Sequence, residues 1–275
     1  MGTIMLETKK DLKEVHDALY KILIDFDTFC KENDIQYFID SGTLLGAVRH
    51  GDFIPWDDDI DVIMKRDQLN KLIQLRDKLP SPYKLILPWD FSPYFYDFTI
   101  RIIDVDKPMR EEKEEDKAQN NYQNRLDIDI FIMDDAPNSL SKFKRTVFKQ
   151  KMLYGMAMNY RANKRLRAHS FTDRWKIRIL SFMGKFKSLK KIFAKKEKLS
   201  TKFAKDNTDY IYMANYSVGA MSLRFPKKCF DGVVYKKIRD KEFPCPIGYD
   251  EVLTINYGDY MTPPKESERK PKHVE

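Results

Sequence analysis

The chain has 275 residues, 42% of them hydrophobic, and a net charge of +8. That length supports a sizeable core in one large domain or two small ones, and the hydrophobic content excludes a disordered chain. No apolar run approaches the ~20 residues that a membrane-spanning helix needs, and the first residues lack the apolar region of a signal peptide. The three cysteines are odd in number and widely spaced. They indicate neither a disulfide framework nor a zinc site, so we expect a reducing, cytoplasmic compartment.

The first predicted elements are a long helix and a strand. Apolar residues recur at helical spacing over residues 9–32, which predicts an amphipathic helix. The β-prone residues 35–39 predict a strand, and residues 44–48 predict a short helix shortly after it. The turn between these two elements therefore comes directly before a helix N-terminus.

That turn contains Ser41, Gly42 and Thr43. Glycine lets the backbone approach a ligand closely, and the unpaired N–H groups of a helix N-terminus bind anions. The turn is a candidate phosphate cradle, and Arg49 just beyond it is a candidate bidentate phosphate ligand. An ordinary helix start and a surface arginine are the alternatives.

Four carboxylates then occur within five residues, directly before an apolar run. Because carboxylates this close raise each other's pKa, a hard divalent cation, usually Mg²⁺ with a phosphate ligand, stabilises such a cluster. Side chains at i and i+2 leave the same face of a strand, so Asp59 and Asp61 are expected to share a pocket. Asp57 is expected at its rim and Asp58 directed away. A solvated acidic turn is the alternative, but the apolar run and the adjacent Trp56 favour a built site.

Further periodicity predicts one helix and three strands. The helix covers residues 67–79, and the strands cover 83–87, 95–105 and 126–133. Such a mixture of helices and strands is typical of α/β and α+β folds. The highly charged stretch 110–124, between the last two strands, is predicted to be an exposed loop.

Three charged side chains lie on the last two of these strands. Asp127 and Asp129 share one strand face, so either could supply a further carboxylate, and a polar edge strand is the alternative. Arg101 could hold a diphosphate, and an ion pair with a neighbouring strand is an equally good interpretation.

The positive charge is concentrated in one segment. Residues 139–206 contain 21 Lys or Arg and three acidic residues, whereas the remainder carries 29 basic and 39 acidic residues. Apolar and aromatic residues recur at helical spacing in this basic block, as in helices that rest on anionic lipid. An ordinary helical subdomain solvated by lysines is the alternative. Nucleic acid is a disfavoured partner, because the acidic remainder would repel its backbone and no nucleic-acid-binding signature is visible.

The stretch from Asp40 to Asp61 resembles the LicD family, whose relatives include the fukutin-related proteins. It matches Ser-Gly-Thr-Leu-Leu-Gly-Ala-x-Arg-His-Gly followed by Ile-Pro-Trp-Asp-Asp-Asp-Ile-Asp almost without a break. The strand over residues 127–131 is a weaker match, and the segment from about 139 to 225 contains no family motif. A further weak match is a C-terminal pattern formed by Tyr257, Asp259, Pro263, Pro264, Arg269 and His273.

This resemblance implies an α+β (α/β-like) fold of the nucleotidyltransferase type, with a mixed sheet and flanking helices. The catalytic core would cover residues 1–138. The basic helical subdomain would cover residues 139–206, and residues 207–275 would complete the active site.

The resemblance also implies transfer of phosphocholine from CDP-choline to a hydroxyl of a cell-envelope glycan. The glycan would be of the teichoic-acid or lipopolysaccharide-precursor type and could be lipid-linked. One or two Mg²⁺ ions, or Mn²⁺, would be held by Asp59, Asp61 and a third carboxylate. Asp129 is preferred to Asp127 as the third, because Ile-Phe follows it as in the family. The donor phosphates would be positioned by Ser41, Gly42, Thr43, Arg49 and Arg101.

A choline cation calls for an aromatic wall. The candidates for the choline and acceptor side are Trp56, Asp57, Asp58, Trp89, Tyr94, Tyr96, Tyr257, Asp259, Arg269 and His273. Two other functions remain open: a nucleotidyl- or phospho-alcohol transferase with another donor, and a non-catalytic relative docked on a membrane. The expected location is cytoplasmic, with peripheral binding to the inner face of the membrane as an option.

Overall fold

A computed structural model of the protein describes residues 12–162 and 171–271. The helices in these residues are α1 (Leu12–Glu32), α2 (Ser41–Arg49), α3 (Arg66–Gln74), α4 (Glu114–Lys117), α5 (Leu140–Ala157), α6 (Phe171–Gly184), α7 (Leu189–Ser200) and α8 (Tyr249–Tyr257). The strands are β1 (Phe38–Ile39), β2 (Asp61–Lys65), β3 (Tyr83–Ile86), β4 (Ile100–Pro108), β5 (Arg125–Ala136), β6 (Tyr210–Met213), β7 (Phe225–Pro226), β8 (Val233–Ile238) and β9 (Lys241–Pro246).

A mixed seven-stranded sheet organises the fold, which confirms the predicted α+β class. Its main order is β1-β2-β5-β4-β3, and β8 and β9 form a separate hairpin. The long strand β5 is parallel to β2 and antiparallel to β4. Beyond the first residue of β4, the same edge of β5 pairs with β6, which in turn pairs with β7. The strands β6 and β7 from the C-terminal part of the chain therefore belong to the same sheet as β1 to β5.

The core forms because the central strands are apolar on both faces. Val62, Ile63 and Ile130 are completely buried, as expected for strands covered by helices on both sides. The predicted N-terminal helix is confirmed as α1, whose buried stripe includes Leu19 and Leu23. Burial of each such side chain contributes about 1.5–3 kcal/mol relative to leaving it in water.

The strand predicted over residues 95–105 instead begins at Ile100. Phe95 and Phe98 leave the sheet pattern because they are buried in a second apolar cluster with Met156 and Ile192. This cluster fastens the basic helices α5 and α7 to the segment before β4. The domain limits at residues 138 and 206 remain a prediction.

The charged stretch over 110–124 is not simply an exposed loop, so that prediction is wrong. Both guanidinium Nη atoms of Arg110 donate to the carboxylate of Asp116, at 2.6 and 2.9 Å. Asp116 is fully buried and also accepts a hydrogen bond from Gln123. Because the charges of Arg110 and Asp116 compensate each other, this polar segment packs against the fold although its sequence has no apolar periodicity.

In the described residues, no helix is both long enough and apolar enough to cross a bilayer. Cys30, Cys229 and Cys245 are buried free thiols.

Candidate functional site

A cavity of about 310 Å³ lies where β2 begins, between α2 and the segment that follows α8. Many of the residues that line this cavity are ones that the sequence analysis predicted as site residues. The predicted site residues that line it are Gly42, Arg49, Trp56, Asp57, Asp59, Asp61, Tyr257 and Asp259. Residues separated by some 200 positions in the chain therefore meet around one space.

The acidic segment is folded into this wall rather than solvated. Ile60 is fully buried and anchors the segment, while Asp59 and Asp61 on either side of it face the cavity, as predicted. Asp58, predicted to point away, is fully buried. The carboxylates of Asp57, Asp58 and Asp59 have oxygen atoms within 4.8 Å of one another. In the described part of the chain, these three form the tightest candidate metal group, and Asp61 lies beside them.

Asp61 and Asp129 are register partners on the parallel strands β2 and β5. Burial raises the pKa of Asp61 well above its usual range, and the nearby carboxylates of Asp59 and Asp129 raise it further. Burial likewise raises the pKa of Asp129, against the opposing effect of Arg101. Asp129 is not part of the cavity wall formed by the described residues. The predicted third carboxylate is thus on the strand next to Asp61 but outside the cavity wall.

Arg101 does not have the role of phosphate ligand that the sequence suggested. Its two Nη atoms donate to Asp97, at 2.9 and 2.7 Å, and its Nε lies 3.0 Å from both Asp127 and Asp129. Since every guanidinium nitrogen faces a carboxylate, the ion-pair interpretation is the correct one. Arg101 and the three carboxylates form a buried charge network, which supports the strand next to the cavity.

The start of α2 explains why the sequence needs glycine there. A Cβ atom on Gly42 would collide with the carboxylate of Asp57. Thr43 Oγ1 accepts a hydrogen bond from the N–H of Asp61, at 2.9 Å, and so links α2 to β2. Thr43 is therefore a positioning residue for Asp61, and its hydroxyl is engaged by the protein backbone.

The predicted cradle residue Ser41 lies next to a second group, formed by the buried side chains of Asp40 and Tyr216, which were not among the predicted site residues. Asp40 is fully buried and accepts hydrogen bonds from the hydroxyls of Ser41 and Tyr216. Its Oδ1 atom has no hydrogen-bond partner in the described residues. Ser41 has a φ of 46°, in the left-handed region that non-glycine residues seldom adopt. Tyr216 comes from a distant part of the chain, so no local pattern could have predicted it.

Two guanidinium groups lie against the ring of Trp56. The Cζ atoms of Arg49 and Arg269 are 6.0 and 5.2 Å from the ring. Arg49 also donates to the carbonyl of Tyr260, while its buried Nε has no hydrogen-bond partner in the described residues. Arg49 is therefore placed to meet an anion in the cavity, which Lys270 also lines. Trp56 is the wall on which both arginines rest.

The C-terminal segment closes one side of the cavity. Loss of water around the Tyr257 hydroxyl, together with the charges of Asp61 and Asp40, raises the pKa of this tyrosine. Asp259 lines the wall and accepts a hydrogen bond from Thr262. Arg269 donates to the carbonyl of Pro264, and His273 lies outside the described residues. Tyr260, which belongs to the C-terminal family pattern, also lines the cavity, and further lining residues that the sequence did not indicate are Thr262, Glu268 and Lys270.

Three aromatic candidates lie away from this cavity. Trp89 lines a different cavity of about 370 Å³ at the other end of β2, together with Arg66 and Lys196. It cannot form a wall of the acidic site, so that prediction is wrong. Tyr94 is partly buried and lines neither cavity, and Tyr96 stacks on Phe91. A short helical turn follows β3 and places these residues away from the acidic cavity. Local periodicity does not predict this turn.

The comparisons with known proteins agree with this geometry. The sequence pattern of the LicD/FKTN/FKRP nucleotidyltransferase domain matches residues 34–96. Lipopolysaccharide cholinephosphotransferase LicD of Haemophilus influenzae is 30% identical over 97% of both chains. The chain belongs to the LicD family. It is accordingly an enzyme of the transferase class.

Two further relatives match a shorter part of the chain. Human ribitol 5-phosphate transferase FKRP is 45% identical over 42 residues, which cover 15% of this chain and 8% of the human protein. An uncharacterized Rickettsia prowazekii protein is 48% identical over 54 residues, or 19% and 20% of the two chains.

Proposed function

We propose that this LicD-family enzyme transfers phosphocholine from CDP-choline to a hydroxyl of a lipopolysaccharide-type glycan. The observation that carries the proposal is the cavity that brings Asp57, Asp59 and Asp61 together with Arg49. Similarity over almost the whole chain to a lipopolysaccharide cholinephosphotransferase supports the choice of transferred group and acceptor. Nothing in these relatives supports a teichoic-acid acceptor.

We propose Mg²⁺ as the cofactor, with Mn²⁺ as a substitute. The available donors are all carboxylate oxygens, which Mg²⁺ prefers. Asp57, Asp59 and Asp61 line one cavity, and a buried oxygen of Asp40, close to Gly42 in its wall, accepts no hydrogen bond from the described residues, so the site has negative charge for a cation to compensate. Asp57, Asp59 and Asp61 would hold the ion, and the nearby carboxylates of Asp58 and Asp129 would add to the negative electrostatic potential at the site. A bound ion would supply charge neutralisation of the diphosphate and acidify the acceptor hydroxyl.

The protein's own groups then have separate tasks. Arg49 neutralises charge that develops on the departing nucleotide. The acceptor hydroxyl oxygen forms the new bond to phosphorus, the bond from phosphorus to CMP breaks, and CMP leaves with its electron pair. Asp59 lines the cavity and is the candidate that accepts the hydroxyl proton. Tyr257 and Asp259 enclose the reacting groups on the C-terminal side.

The test is acceptor-dependent release of CMP. Wild-type enzyme, CDP-choline, Mg²⁺ and truncated lipopolysaccharide should give CMP and choline-labelled glycan. The double variant Asp59→Asn plus Asp61→Asn should lose the reaction, and Asp77→Asn, which alters an exposed acid away from the cavity, should retain it. Equal turnover by the double variant and the wild type would refute the proposal.

A second candidate is transfer of another phospho-alcohol. It is favoured by the match of 42 residues of this chain to a ribitol 5-phosphate transferase. A thermal-shift panel of CDP-alcohols and nucleoside triphosphates separates the two. Stabilisation by CDP-ribitol with no response to CDP-choline would support this second candidate. The non-catalytic alternative does not fit membership of a transferase family.

A further inference from the structure

One face of α6 is apolar and exposed to solvent. Ile179 and Phe182 are both 58% exposed, and Phe186, just beyond the helix, is 76% exposed. The members of this surface, which we call the α6 face, are Trp175, Ile179, Phe182, Met183 and Phe186. They follow helical spacing, so they form one contiguous stripe. Exposed apolar surface of this extent marks an interaction site.

The opposite face of α6 is already packed. A Cβ on Gly155 of α5 would lie 2.6 Å from the side chain of Leu180, and one on Gly184 would meet the backbone of Met156. The two helices are therefore in close contact through these glycines. Because this packing fixes the rotation of α6, the exposed stripe cannot turn inward to join a core.

Basic side chains border the α6 face. The guanidinium of Arg178 lies 5.6 Å from the ring of Trp175, and the ammonium of Lys185 lies 5.4 Å from the ring of Phe182. Lys176 is exposed on the same helix. Over residues 139–206 there are 21 basic and three acidic residues. A partner that fits this surface is both apolar and anionic.

We propose that the α6 face docks on an anionic lipid bilayer. Its aromatic and aliphatic side chains would enter the boundary between headgroups and acyl chains, while the adjacent Lys and Arg would meet lipid phosphates. A second copy of the chain would bring two strongly basic segments together, and nucleic acid offers no apolar layer for the aliphatic side chains of Ile179 and Met183. The proposal holds whichever nucleotide donor the enzyme uses.

The experiment is sedimentation of the full chain with phosphatidylcholine vesicles, with and without phosphatidylglycerol. The wild type should bind the anionic vesicles and not the neutral ones. The variant Ile179→Ser, Phe182→Ser, Phe186→Ser should bind roughly tenfold or more weakly, because three apolar side chains no longer insert. Lys176→Gln, Arg178→Gln, Lys185→Gln should lose the preference for anionic lipid.

The matched control is Val233→Ser plus Tyr235→Ser, which removes two exposed apolar side chains from the β8–β9 hairpin. It should bind like the wild type. Circular dichroism and thermal melting check that each variant is folded. Failure of the wild type to bind anionic vesicles, or unchanged binding by the triple serine variant, would overturn the proposal. So would self-association or RNA binding that the triple serine variant abolishes while vesicle binding persists.

Discussion

At the scale of single residues, the site depends on buried charges that must be compensated. Arg101 is the clearest case, because it is nearly inaccessible to solvent and faces Asp97, Asp127 and Asp129. Burial opposes its charge, but the surrounding carboxylates more than offset this and raise its pKa well above the usual range. Arg101 therefore stays charged and keeps three acids together next to the cavity.

Replacing this arginine should destabilise the fold. In Arg101→Lys, one ammonium replaces the planar guanidinium, so buried carboxylates lose their hydrogen bonds, at a cost of about 3–5 kcal/mol. Urea unfolding measures the change. Arg76→Lys is the control, since Arg76 pairs with Asp90 in a more exposed position and should cost no more than about 1 kcal/mol. Equal losses in the two variants would contradict this account of Arg101.

A glycine controls how closely the acidic segment approaches α2. In Gly42→Ala, the new methyl group would displace the carboxylate of Asp57, and a shift of ~1 Å near reacting groups can lower activity on the order of 10²-fold. Gly219→Ala is the control, because no atom lies within 4 Å of its Cβ position. Steady-state kinetics should show a loss of kcat/KM for Gly42→Ala alone. If Gly42→Ala had the same kcat/KM as the wild type, the position of the Asp57 carboxylate would not matter for activity.

At the scale of elements, short-range patterns predicted what lies within one helix or strand, and long-range contacts decided the rest. The apolar period of α1 and the alternation at β2 are local, so the helix and the shared face of Asp59 and Asp61 could be predicted. The burial of Asp58 and the position of Trp89 depend on packing between distant segments. No spacing in the sequence encodes those contacts, which is why the burial of Asp58 was not predicted and the placement of Trp89 at the acidic site was wrong.

Helix α7 is joined to the rest of the protein by a buried lysine. Lys196 Nζ donates to Gln150 of α5 at 3.1 Å and to the carbonyl of Ala214 after β6 at 2.7 Å. Burial lowers the pKa of Lys196 to about 7, against the opposing charges of Asp134 and Glu197. In the unfolded chain a lysine has a pKa of about 10.4. Between these values the unfolded state binds the extra proton, so the lysine's contribution to stability falls as pH decreases from about 10 to about 7.

Lys196→Met should remove this contribution to the pH dependence. The free energy of unfolding of the wild type minus that of the variant should increase between pH 7 and pH 8.5, by about 2 kcal/mol if the slope is near 1.4 kcal/mol per pH unit. Urea unfolding at both pH values measures it. Taking the difference between the chains cancels the titration of the buried cysteines. A difference that does not change with pH would mean that Lys196 keeps its ordinary pKa in the fold.

At the scale of the whole molecule, charge is divided between two regions. The basic segment of residues 139–206 contrasts with a remainder that carries ten more acidic than basic residues. The composition predicted this division. The structure adds that part of the acidic region lines the cavity at the start of β2, and that α6 in the basic region has an exposed apolar face. The way the C-terminal segment reaches the cavity could not be predicted, because β6 depends on pairing with β5 and α8 on contacts with α2, both far away in the chain.

The central claim is that the carboxylates around Asp61 form a site for a divalent cation. Thermal unfolding with and without Mg²⁺ tests it most directly, since an ion that binds the folded state at 100 times its Kd adds about 2.7 kcal/mol, or roughly 5–10 °C in Tm. The account predicts this shift for the wild type and for Asp77→Asn, and its loss in Asp61→Asn. The same Mg²⁺ response in Asp61→Asn as in the wild type, or none in any of the three, would contradict it.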